Sequence, residues 1–532
     1  MSHLKKRFIF FTATLIVFFV GVSFVIPALS SRSSEIYEKI KTLNQIISIV
    51  NENYVEPVDW DEVLDGAFHG MLEKLDPHSS YIPKKQLEAI SEQFHGKFEG
   101  IGIEFDILGG YITVISPIVG SPSDRAGLQP GDQIIEIEYE SAYKITKEEV
   151  FEKLRGPKGS SVNITVSRIA DKKPFEVEII RDEIPIYSVT SSFMLDRETG
   201  YIQLRRFSST TSQEVSDALN QLRGEGMTQL IFDLRTNSGG YLEQAVDVTD
   251  NFFVSSDTIV YTEGRRSGSR KVYRASSRKG DEDYALVVLI DRWSASASEI
   301  VAGAIQDLDR GLIVGETSFG KGLVQQQWIL NDDSALRVTI GRYYTPSGRL
   351  IQRPYGDGTH EYYRELADEN REARLDSLIT DRPRYKTKSG REVYGGGGIT
   401  PDVFVALENR SPEVRKLLRN EKRITFNWGT EIASDIRSDW LSESAFIEGY
   451  HVSEDQLSSF FDYAIQEGVS PINNEELEKD IPYLKVVLKA EIAGAIWGRG
   501  AYFQVLVSGD SQVMEARKLF GRARAFLTIN SG

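Results

Sequence analysis

Hydrophobic residues run without interruption near the start of the chain. The stretch from Phe8 to Leu29 is 22 residues long and uncharged, and a basic triplet, residues 5–7, comes directly before it. A helix of about 20 apolar residues spans a bilayer, and basic flanking residues stay in the cytoplasm. The pattern therefore predicts a membrane anchor in residues 1–30 and export of the chain from about Ser31 onward. A cleaved signal peptide ending near residues 28–30 is the alternative.

The pattern changes twice in the next part of the chain. In residues 31–95, apolar positions such as Ile36, Ile40 and Leu43 recur at helical spacing, which predicts an N-terminal region of two or three helices. Residues 96–182 instead show short runs of alternating apolar and polar residues separated by Gly and Pro turns. This pattern is typical of a small β-rich module.

Strands and helices alternate in residues 183–408. Some predicted strands are wholly apolar, as a strand covered on both faces would be. Repeated strand–helix units indicate an α/β domain with helices covering a sheet. Residues 355–394 are rich in charge, and we expect a surface excursion there. Residues 409–532 are amphipathic and predict a C-terminal helical domain.

Composition narrows the possible chemistry. The chain of 532 residues carries a formal net charge of −16, so it repels phosphate backbones and general nucleic-acid binding is not expected. It contains no cysteine, which excludes disulfides, thiolate metal sites and a cysteine nucleophile. Its six histidines form no metal-spaced pair, and we expect no metal site.

A serine-rich segment, Ser294 to Glu299, joins a predicted buried strand to a helix. Ser296 stands where the first amides of the helix point outward, and such amides can hold an oxyanion. The plainer interpretation is a helix cap, because Ser296 and Glu299 have capping-box spacing. On these residues alone both interpretations stand.

Lys321 lies in a glycine-rich segment, residues 315–322. The segment nearly matches the phosphate-binding loop G-x-x-x-x-G-K-[ST], but Gly322 replaces the hydroxyl residue and a strand rather than a helix follows. Lys321 is then a solvated turn residue or a buried base, whose pKa must fall from about 10.4 toward about 7–8. Gln325, four residues on, falls on the same face and would hydrogen-bond the amine.

Asn237 to Gly240 follow another predicted buried strand. Ligands gather at the carboxyl ends of strands in α/β sheets, so Gly239 and Gly240 are candidates for a second oxyanion donor. A tight turn before a helix is the structural alternative. A Ser/His/Asp triad is the competing catalytic scheme, but residues 96–359 contain no histidine, so one would have to come from another domain.

Taken together, these segments closely resemble the carboxyl-terminal processing peptidases, also called tail-specific proteases. The resemblance implies a crotonase-like or ClpP-like α/β core at 183–408. It also implies Ser296 as nucleophile and Lys321, 25 residues later, as base. The matching segments are Leu75 to Ser79, Asp233 to Gly240, Ser294 to Glu299, Phe319 to Gln325, Arg342 to Gly348 and Gly398 to Asp402.

The same resemblance assigns the supporting residues. Gln325 would orient the lysine, and Ala297 with Gly239 or Gly240 would form the oxyanion hole, with no metal or cofactor required. Ser238 stands where the family has proline, which leaves open which glycine donates.

The module at 96–182 resembles a PDZ domain inserted between the N-terminal helices and the core. In such domains a loop of the kind Gly100, Ile101, Gly102 and Ile103 binds a peptide's terminal carboxylate through backbone amides, and the peptide adds as a strand. The implied partners are proteins bound by their C-termini, and the membrane through the N-terminal segment. A homo-oligomer stays open. The implied location is a bacterial cell envelope, on the periplasmic side.

Two rival functions follow from the same residues. One is a non-catalytic PDZ scaffold on the same fold, which the presence of both Ser296 and Lys321 argues against. The other is a crotonase-like enzyme acting on acyl thioesters, which the export segment and the PDZ-like module argue against. Residues 410–532 resemble nothing that assigns them a role; partner docking or assembly are the options.

Overall fold

The chain forms two compact units that divide between Leu72 and Glu73. The structure, a computed structural model, describes residues 35–168, 171, 173–254, 256–276, 283–469 and 474–530. The expected anchor or signal peptide at residues 1–30 lies outside these ranges. No helix within them is both long and apolar enough to cross a bilayer.

The first unit is helical, as the spacing predicts. It contains helix α1 (residues 35–53) and helix α2 (Trp60–Glu73), whose last residue belongs to the second unit. The apolar stripe of α1 lies open to solvent: Ile36 is 63% exposed and Ile40 is 50% exposed.

The second unit opens with strand β1 (Ser80–Ile82) and helix α3 (Lys84–His95). Asp76 shapes the turn before β1, because its carboxylate accepts hydrogen bonds from the amides of His78 and Ser79, both at 2.8 Å. Gly96 ends α3 in the left-handed conformation, a common helix C-terminus.

A small β-rich module follows. Apolar side chains on alternate positions, such as Ile112, Val114 and Val162, form its core. Its helix α5 begins at a capping box made by Thr146 and Glu149. The elements are β2 (Lys97–Gly100), β3 (Ile103–Leu108), β4 (Tyr111–Pro117), α4 (Pro122–Arg125), β5 (Gln133–Ile137), β6 (Glu140–Ser141), α5 (Lys147–Leu154), β7 (Ser161–Ser167), β8 (Phe175–Ile180) and β9 (Asp182–Pro185).

The module's strands form two sheets. β2 pairs with β9, and the larger sheet has the order β3-β4-β5-β7-β8, with β6 on β5. Strand β3 therefore lies at an edge: among the strands that the structure describes, it pairs with β4 alone. A free edge is where an extended peptide can add.

The α/β core is built on a six-stranded sheet of order β10-β11-β12-β15-β16-β21, parallel except for the β10–β11 pair. Helices α6, α7 and α8 cover one face. The core elements are β10 (Val189–Met194), β11 (Thr199–Leu204), α6 (Thr211–Gly224), β12 (Gln229–Asp233), α7 (Leu242–Asp250), β13 (Thr258–Gly264), β14 (Lys271–Arg274), β15 (Ala285–Ile290), α8 (Ala297–Asp307), β16 (Leu312–Gly315), β17 (Leu323–Ile329), β18 (Ala335–Tyr344) and β21 (Val403–Phe404).

A second sheet of five strands lies beside the first. Its order is β1-β18-β13-β14, with β17 also paired to β18. Ser80, Tyr81 and Ile82 of β1 pair with residues 335–337. The segment that precedes the β-rich module is in this way joined to the core far along the chain.

Most residues of the charge-rich segment 355–394 are exposed or half-buried, but a few of its side chains pack into the interior. Tyr362, Leu366 and Arg371 are buried. Arg371 donates hydrogen bonds to the carbonyls of Thr317 and Ser318 at 2.8 and 2.7 Å. The segment therefore supports the loop before Lys321. It contains α9 (Thr359–Arg364), α10 (Arg371–Ser377), β19 (Arg384–Lys386) and β20 (Glu392–Tyr394).

The C-terminal region is helical, as predicted, and it covers the other face of the six-stranded sheet. Val513, Phe520 and Phe526 pack against apolar side chains of that sheet. The helices are α11 (Pro412–Leu418), α12 (Ile424–Ile436), α13 (Glu443–Gly449), α14 (Glu454–Gln466), α15 (Asn474–Leu477), α16 (Ile481–Trp497), α17 (Arg499–Ser508), α18 (Ser511–Lys518), α19 (Phe520–Ala523) and α20 (Ala525–Asn530).

Candidate active site

A cavity of about 890 Å³ brings the predicted catalytic residues together. Ser296, Lys321 and Gln325 line it, as do Gly239 and Gly240. These residues come from three places in the core: the end of β12, the junction of β15 with α8, and the start of β17. Helix α3 closes one side of the cavity. No hydrogen bond joins the Ser296 hydroxyl to the Lys321 amine in the structure.

Ser296 has a strained backbone. Its φ of 55° lies in the left-handed region, which non-glycine residues rarely occupy. Its amide donates to Glu299 Oε2 at 2.8 Å, and its carbonyl accepts from the Tyr343 hydroxyl at 3.1 Å. The capping box that the spacing of Ser296 and Glu299 predicts is present. The Glu299 amide also donates to the Ser296 carbonyl at 2.9 Å.

Glu299 connects the serine to the lysine. Its buried carboxylate accepts hydrogen bonds from the Ser296 amide, the Ser318 hydroxyl at 2.5 Å, the Gly320 amide at 2.6 Å and the Lys321 amide at 2.9 Å. Burial raises the pKa of Glu299, against the lowering effect of these hydrogen bonds. One side chain thereby fixes the backbone on both sides of the cavity.

The Lys321 amine has a depressed pKa of about 8. Burial is the main cause, since it disfavours the charged form. The positive charge of Arg337 lowers the pKa further, while Asp76 and Glu299 raise it. A lysine with such a pKa holds a useful fraction of neutral amine near neutral pH and can take a proton.

Gln325 forms a hydrogen bond with the Lys321 amine. Its Oε1 accepts a hydrogen bond from Lys321 Nζ at 2.9 Å, and its Nε2 donates to the His78 carbonyl at 2.6 Å. The amide is thus oriented with its oxygen toward the amine. The segment Leu75 to Ser79 had no assigned role in the sequence analysis. Its residue His78 supplies the carbonyl that orients the Gln325 amide.

The histidines near the site have no acid partner of the kind that a triad requires. His78 Nε2 lies 3.1 Å from the Tyr362 hydroxyl, and the pKa of His78 is lowered to about 3, first by burial and then by the charge of Lys321. His95 lines the cavity, but its Nδ1 bonds to the Ser91 carbonyl at 2.8 Å. Within the described ranges, neither imidazole hydrogen-bonds to a carboxylate.

The amides of Ala297 and Gly240 have no hydrogen-bond acceptor among the residues that the structure describes. The Gly239 amide, by contrast, donates to Asn237 Oδ1 at 2.9 Å. Of the two glycines, Gly240 is therefore the one whose amide donates to no described residue. Gly239 has a packing role instead: a Cβ there would lie 2.9 Å from Ser296 Cβ.

Hydrogen bonds join the loop after β12, which carries Gly240, to the loop after β15, which carries Ser296 and Ala297. The Asn237 carbonyl accepts from the Ala295 amide and from the Ser298 hydroxyl, both at 2.9 Å. The Ser294 hydroxyl donates to the Leu234 carbonyl at 2.8 Å. The serines that flank Ser296 are therefore structural, and the loops after β12 and β15 are held at a constant spacing.

The predicted peptide-binding loop lies outside the catalytic cavity, between β2 and β3. The Ile101 carbonyl accepts from the Ser123 amide at 3.0 Å, and the Gly102 carbonyl accepts from the Ser121 hydroxyl at 2.9 Å. The amides of Ile101 and Gly102 have no acceptor within the described part of the chain. Gly102 has a φ of 81°, and a Cβ there would lie 2.3 Å from Ser121 Cβ.

Comparisons with known proteins agree with this architecture. Residues 198–361 match peptidase family S41, residues 113–168 match a PDZ domain, and residues 26–86 match the "Activating protease CtpB N-terminal domain". Residues 422–498 match a family of unknown function.

Two relatives match a little under two thirds of this chain. A carboxy-terminal-processing protease of Bartonella bacilliformis is 35% identical over 65% of this chain and 80% of its own. The carboxy-terminal processing protease CtpB of Bacillus subtilis is 36% identical over 62% of this chain and 68% of its own. Among solved structures, a photosystem II D1 C-terminal processing protease is 26% identical, with coverage of 66% and 84% and a TM-score of 0.34.

The fold and the matches define a serine peptidase with a PDZ domain. The chain belongs to peptidase family S41, the family of the carboxy-terminal processing proteases. The resemblance and the fold class predicted from the sequence are confirmed.

Proposed function

We propose that this peptidase is an exported endopeptidase that binds the C-terminal tails of proteins through its PDZ domain and cleaves them with a Ser296–Lys321 dyad. The observation that carries the proposal is the shared cavity. It places a strained serine and a lysine of pKa about 8 beside amides without acceptors.

The reaction starts from neutral Lys321. The amine takes the proton of the Ser296 hydroxyl as Oγ attacks the peptide carbonyl. The amides of Ala297 and Gly240 hold the tetrahedral oxyanion; one such donor is worth about 2.7–4 kcal/mol of barrier. The lysine then gives its proton to the leaving amine, and water releases the acyl-enzyme.

Tail binding uses the PDZ module. The amides of Ile101 and Gly102 receive the terminal carboxylate, and the peptide adds to the free edge of β3. The name of each relative above includes carboxy-terminal processing, which supports this substrate class for the present chain.

The test is a pair of variants measured on the same unstructured protein substrate. Ser296→Ala is expected to abolish cleavage and covalent labelling by a fluorophosphonate, while peptide binding to the PDZ domain persists. Ser267→Ala, an exposed serine of the same domain, serves as the matched control and should retain both. Continued cleavage by Ser296→Ala would move the nucleophile elsewhere.

The proposed location is the cell envelope, with residues 1–30 as anchor. Fractionation of a native host should place the full chain in the membrane fraction, digestible from the periplasmic side. Sequencing the N-terminus of the mature protein separates the two alternatives: an intact start supports the anchor, and a start near residue 31 supports a cleaved signal peptide.

A further inference from the structure

Three arginines line the catalytic cavity of this acidic protein. The chain carries a net charge of −16, yet the cavity wall holds Arg205, Arg206 and Arg337 against one carboxylate, Glu243. None of the three arginines forms an ion pair with an acid among the described residues. The proposed mechanism uses none of their side chains to bind substrate.

Arg206 is the least satisfied of the three. It is half-buried, its Nε is buried without a hydrogen-bond partner, and burial lowers its pKa. Glu214, the acid whose charge acts on Arg206, already accepts hydrogen bonds from the amides of Ser188 and Val189 at 2.7 and 2.9 Å. A cation removed from water without a partner is unfavourable, so an anionic ligand would stabilise this one.

Arg337 is also unpaired. Its Nη2 donates to the neutral Gln327 at 2.8 Å, and its guanidinium lies 5.8 Å from the centre of the Phe94 ring. Its charge reaches Lys321, where it is the second cause of the lowered pKa. The group therefore lines the same cavity as Lys321 and is not neutralised by a carboxylate of the described residues.

The two arginines reach the cavity from different parts of the core. Arg206 directly precedes Phe207, whose carbonyl accepts from the Tyr241 amide at 2.9 Å, next to Gly240. Arg337 lies on β18, where it pairs with Gln327 of β17. Both line the cavity that contains Ser296, so a peptide bound across Ser296 is exposed to both cations.

We propose that Arg206 and Arg337 select substrates that carry a carboxylate within a few residues of the scissile bond. The inference rests on the proposed peptidase function and names its substrate class. The carboxylate comes from an Asp or Glu side chain, or from the terminal α-carboxylate when cleavage falls close to the end of the tail. Guanidinium and carboxylate form paired, charge-assisted hydrogen bonds.

The experiment uses the full-length protein and a peptide library made from a digested proteome. Cleavage sites are identified by mass spectrometry, and one cleaved peptide is synthesised with Glu, Gln or Lys at the enriched position and with a free or amidated C-terminus. We expect kcat/KM to fall about tenfold from Glu to Gln, and further for Lys. Loss on amidation alone would identify the terminal carboxylate as the source.

Variants then test the two arginines. The quantity compared is kcat/KM for the Glu peptide divided by kcat/KM for the Gln peptide. A change in the reactivity of Lys321 affects both peptides equally and therefore cancels in this ratio. Arg206→Gln and Arg337→Gln should each bring the ratio toward one, and Arg206→Lys should retain most of it. Arg266→Gln, an exposed arginine outside the cavity, is the control and should leave the ratio unchanged.

Two results would overturn the inference. One is a wild-type enzyme that cleaves the Glu, Gln and amidated peptides equally well; the other is a ratio that neither arginine variant changes. If a variant fails to fold, the Glu-to-Gln ratio of the wild-type enzyme still tests the inference. A preference of electrostatic origin must become smaller when salt is added. Failure of the peptidase proposal looks different: no peptide is cleaved, or Ser296→Ala cleaves them all.

Discussion

Lys321 is the residue whose chemistry depends most on its surroundings. A solvated lysine is almost wholly protonated at neutral pH and cannot accept a proton. Burial and the charge of Arg337 lower the pKa to about 8, while the bond to Gln325 holds the amine in place. The low pKa of Lys321 is therefore created by neighbours far apart in the chain.

The pH dependence follows from this shift. Because the proposed mechanism requires the neutral amine, kcat should rise with pH through about 8, the pKa of Lys321, and level off above it. Below that pKa the rate should fall about tenfold per pH unit. Lys321→Arg should be inactive at every pH, because guanidinium stays charged.

Variants of Arg337 test whether its charge contributes to the low pKa of Lys321. Arg337→Gln removes a repulsive charge, so the pKa of Lys321 should rise and the acidic limb of the kcat profile should move to higher pH. Arg337→Lys keeps the charge and should leave the limb near its wild-type position. An unshifted limb in Arg337→Gln would show that the lysine does not set the profile.

Glu299 is a positioning residue. Glu299→Gln keeps the shape but leaves one acceptor oxygen where the carboxylate serves four donors. Each hydrogen bond to a charged group contributes about 1.5–3 kcal/mol, so we expect lower kcat and a lower melting temperature. Glu369→Gln, at an exposed position, should change neither. A Glu299→Gln enzyme with unchanged kcat would contradict the assignment.

At the scale of elements, two loops at strand ends set the geometry of the site. The loop after β12 brings Gly239 and Gly240 to the cavity, and the loop after β15 holds Ser296 at positive φ. Only glycine fits at position 240, because a Cβ there would lie 2.1 Å from the Phe207 carbonyl oxygen. The glycine pair is thus required both for close packing and for a free amide.

Gly240→Ala tests this loop. The added methyl group must displace the backbone that carries the proposed oxyanion donor, so kcat should fall by about two orders of magnitude. Gly224→Ala is the matched control, because a Cβ there meets no atom within 4 Å. Single-turnover kinetics on one peptide would compare the acylation step. Equal rates for the two variants would exclude Gly240 from the oxyanion hole.

At the scale of the whole molecule, the C-terminal helices contact both the PDZ domain and the peptidase core. Arg235, at the end of β12, donates to Asp510 at 2.9 Å. On the PDZ side, Phe426 packs with Leu108 and Ile115, and Arg499 pairs with Glu104 of the edge strand β3 at 3.2 Å. These helices therefore hold the PDZ domain in its place against the core.

Phe426→Ala tests that role. Phe426 is 5% exposed, and loss of a buried Phe side chain typically costs about 3 kcal/mol. Hydrogen exchange should become faster in β3 and β4 while β12 and β15 stay protected. Leu441→Ala, fully exposed in the same helical region, should leave exchange unchanged. Unchanged protection in β3 after Phe426→Ala would show that this contact does not hold the domain.

Much of this could be predicted from the sequence, because the signals are local. The helix predicted after the serine-rich segment is α8, and the strand predicted after Gly322 is β17. Apolar periodicity and turn residues act within about ten positions, and the serine and lysine segments resemble a family with a constant spacing. The buried part of segment 355–394 could not be predicted in this way. Its Arg371 bonds to the backbone carbonyls of Thr317 and Ser318, and no local pattern reveals such contacts.

The sequence by itself determined the order of the domains, the α/β character of the core and the segments that contain the proposed nucleophile and base. Tertiary structure alone decided that Glu299 joins these segments, that the amide of Gly240 rather than Gly239 is free within the described residues, and that arginines without an ion-pair partner among those residues line the cavity. The physical reason is that periodicity reports which faces are apolar, whereas pKa values and free donors depend on which groups packing brings within a few ångströms.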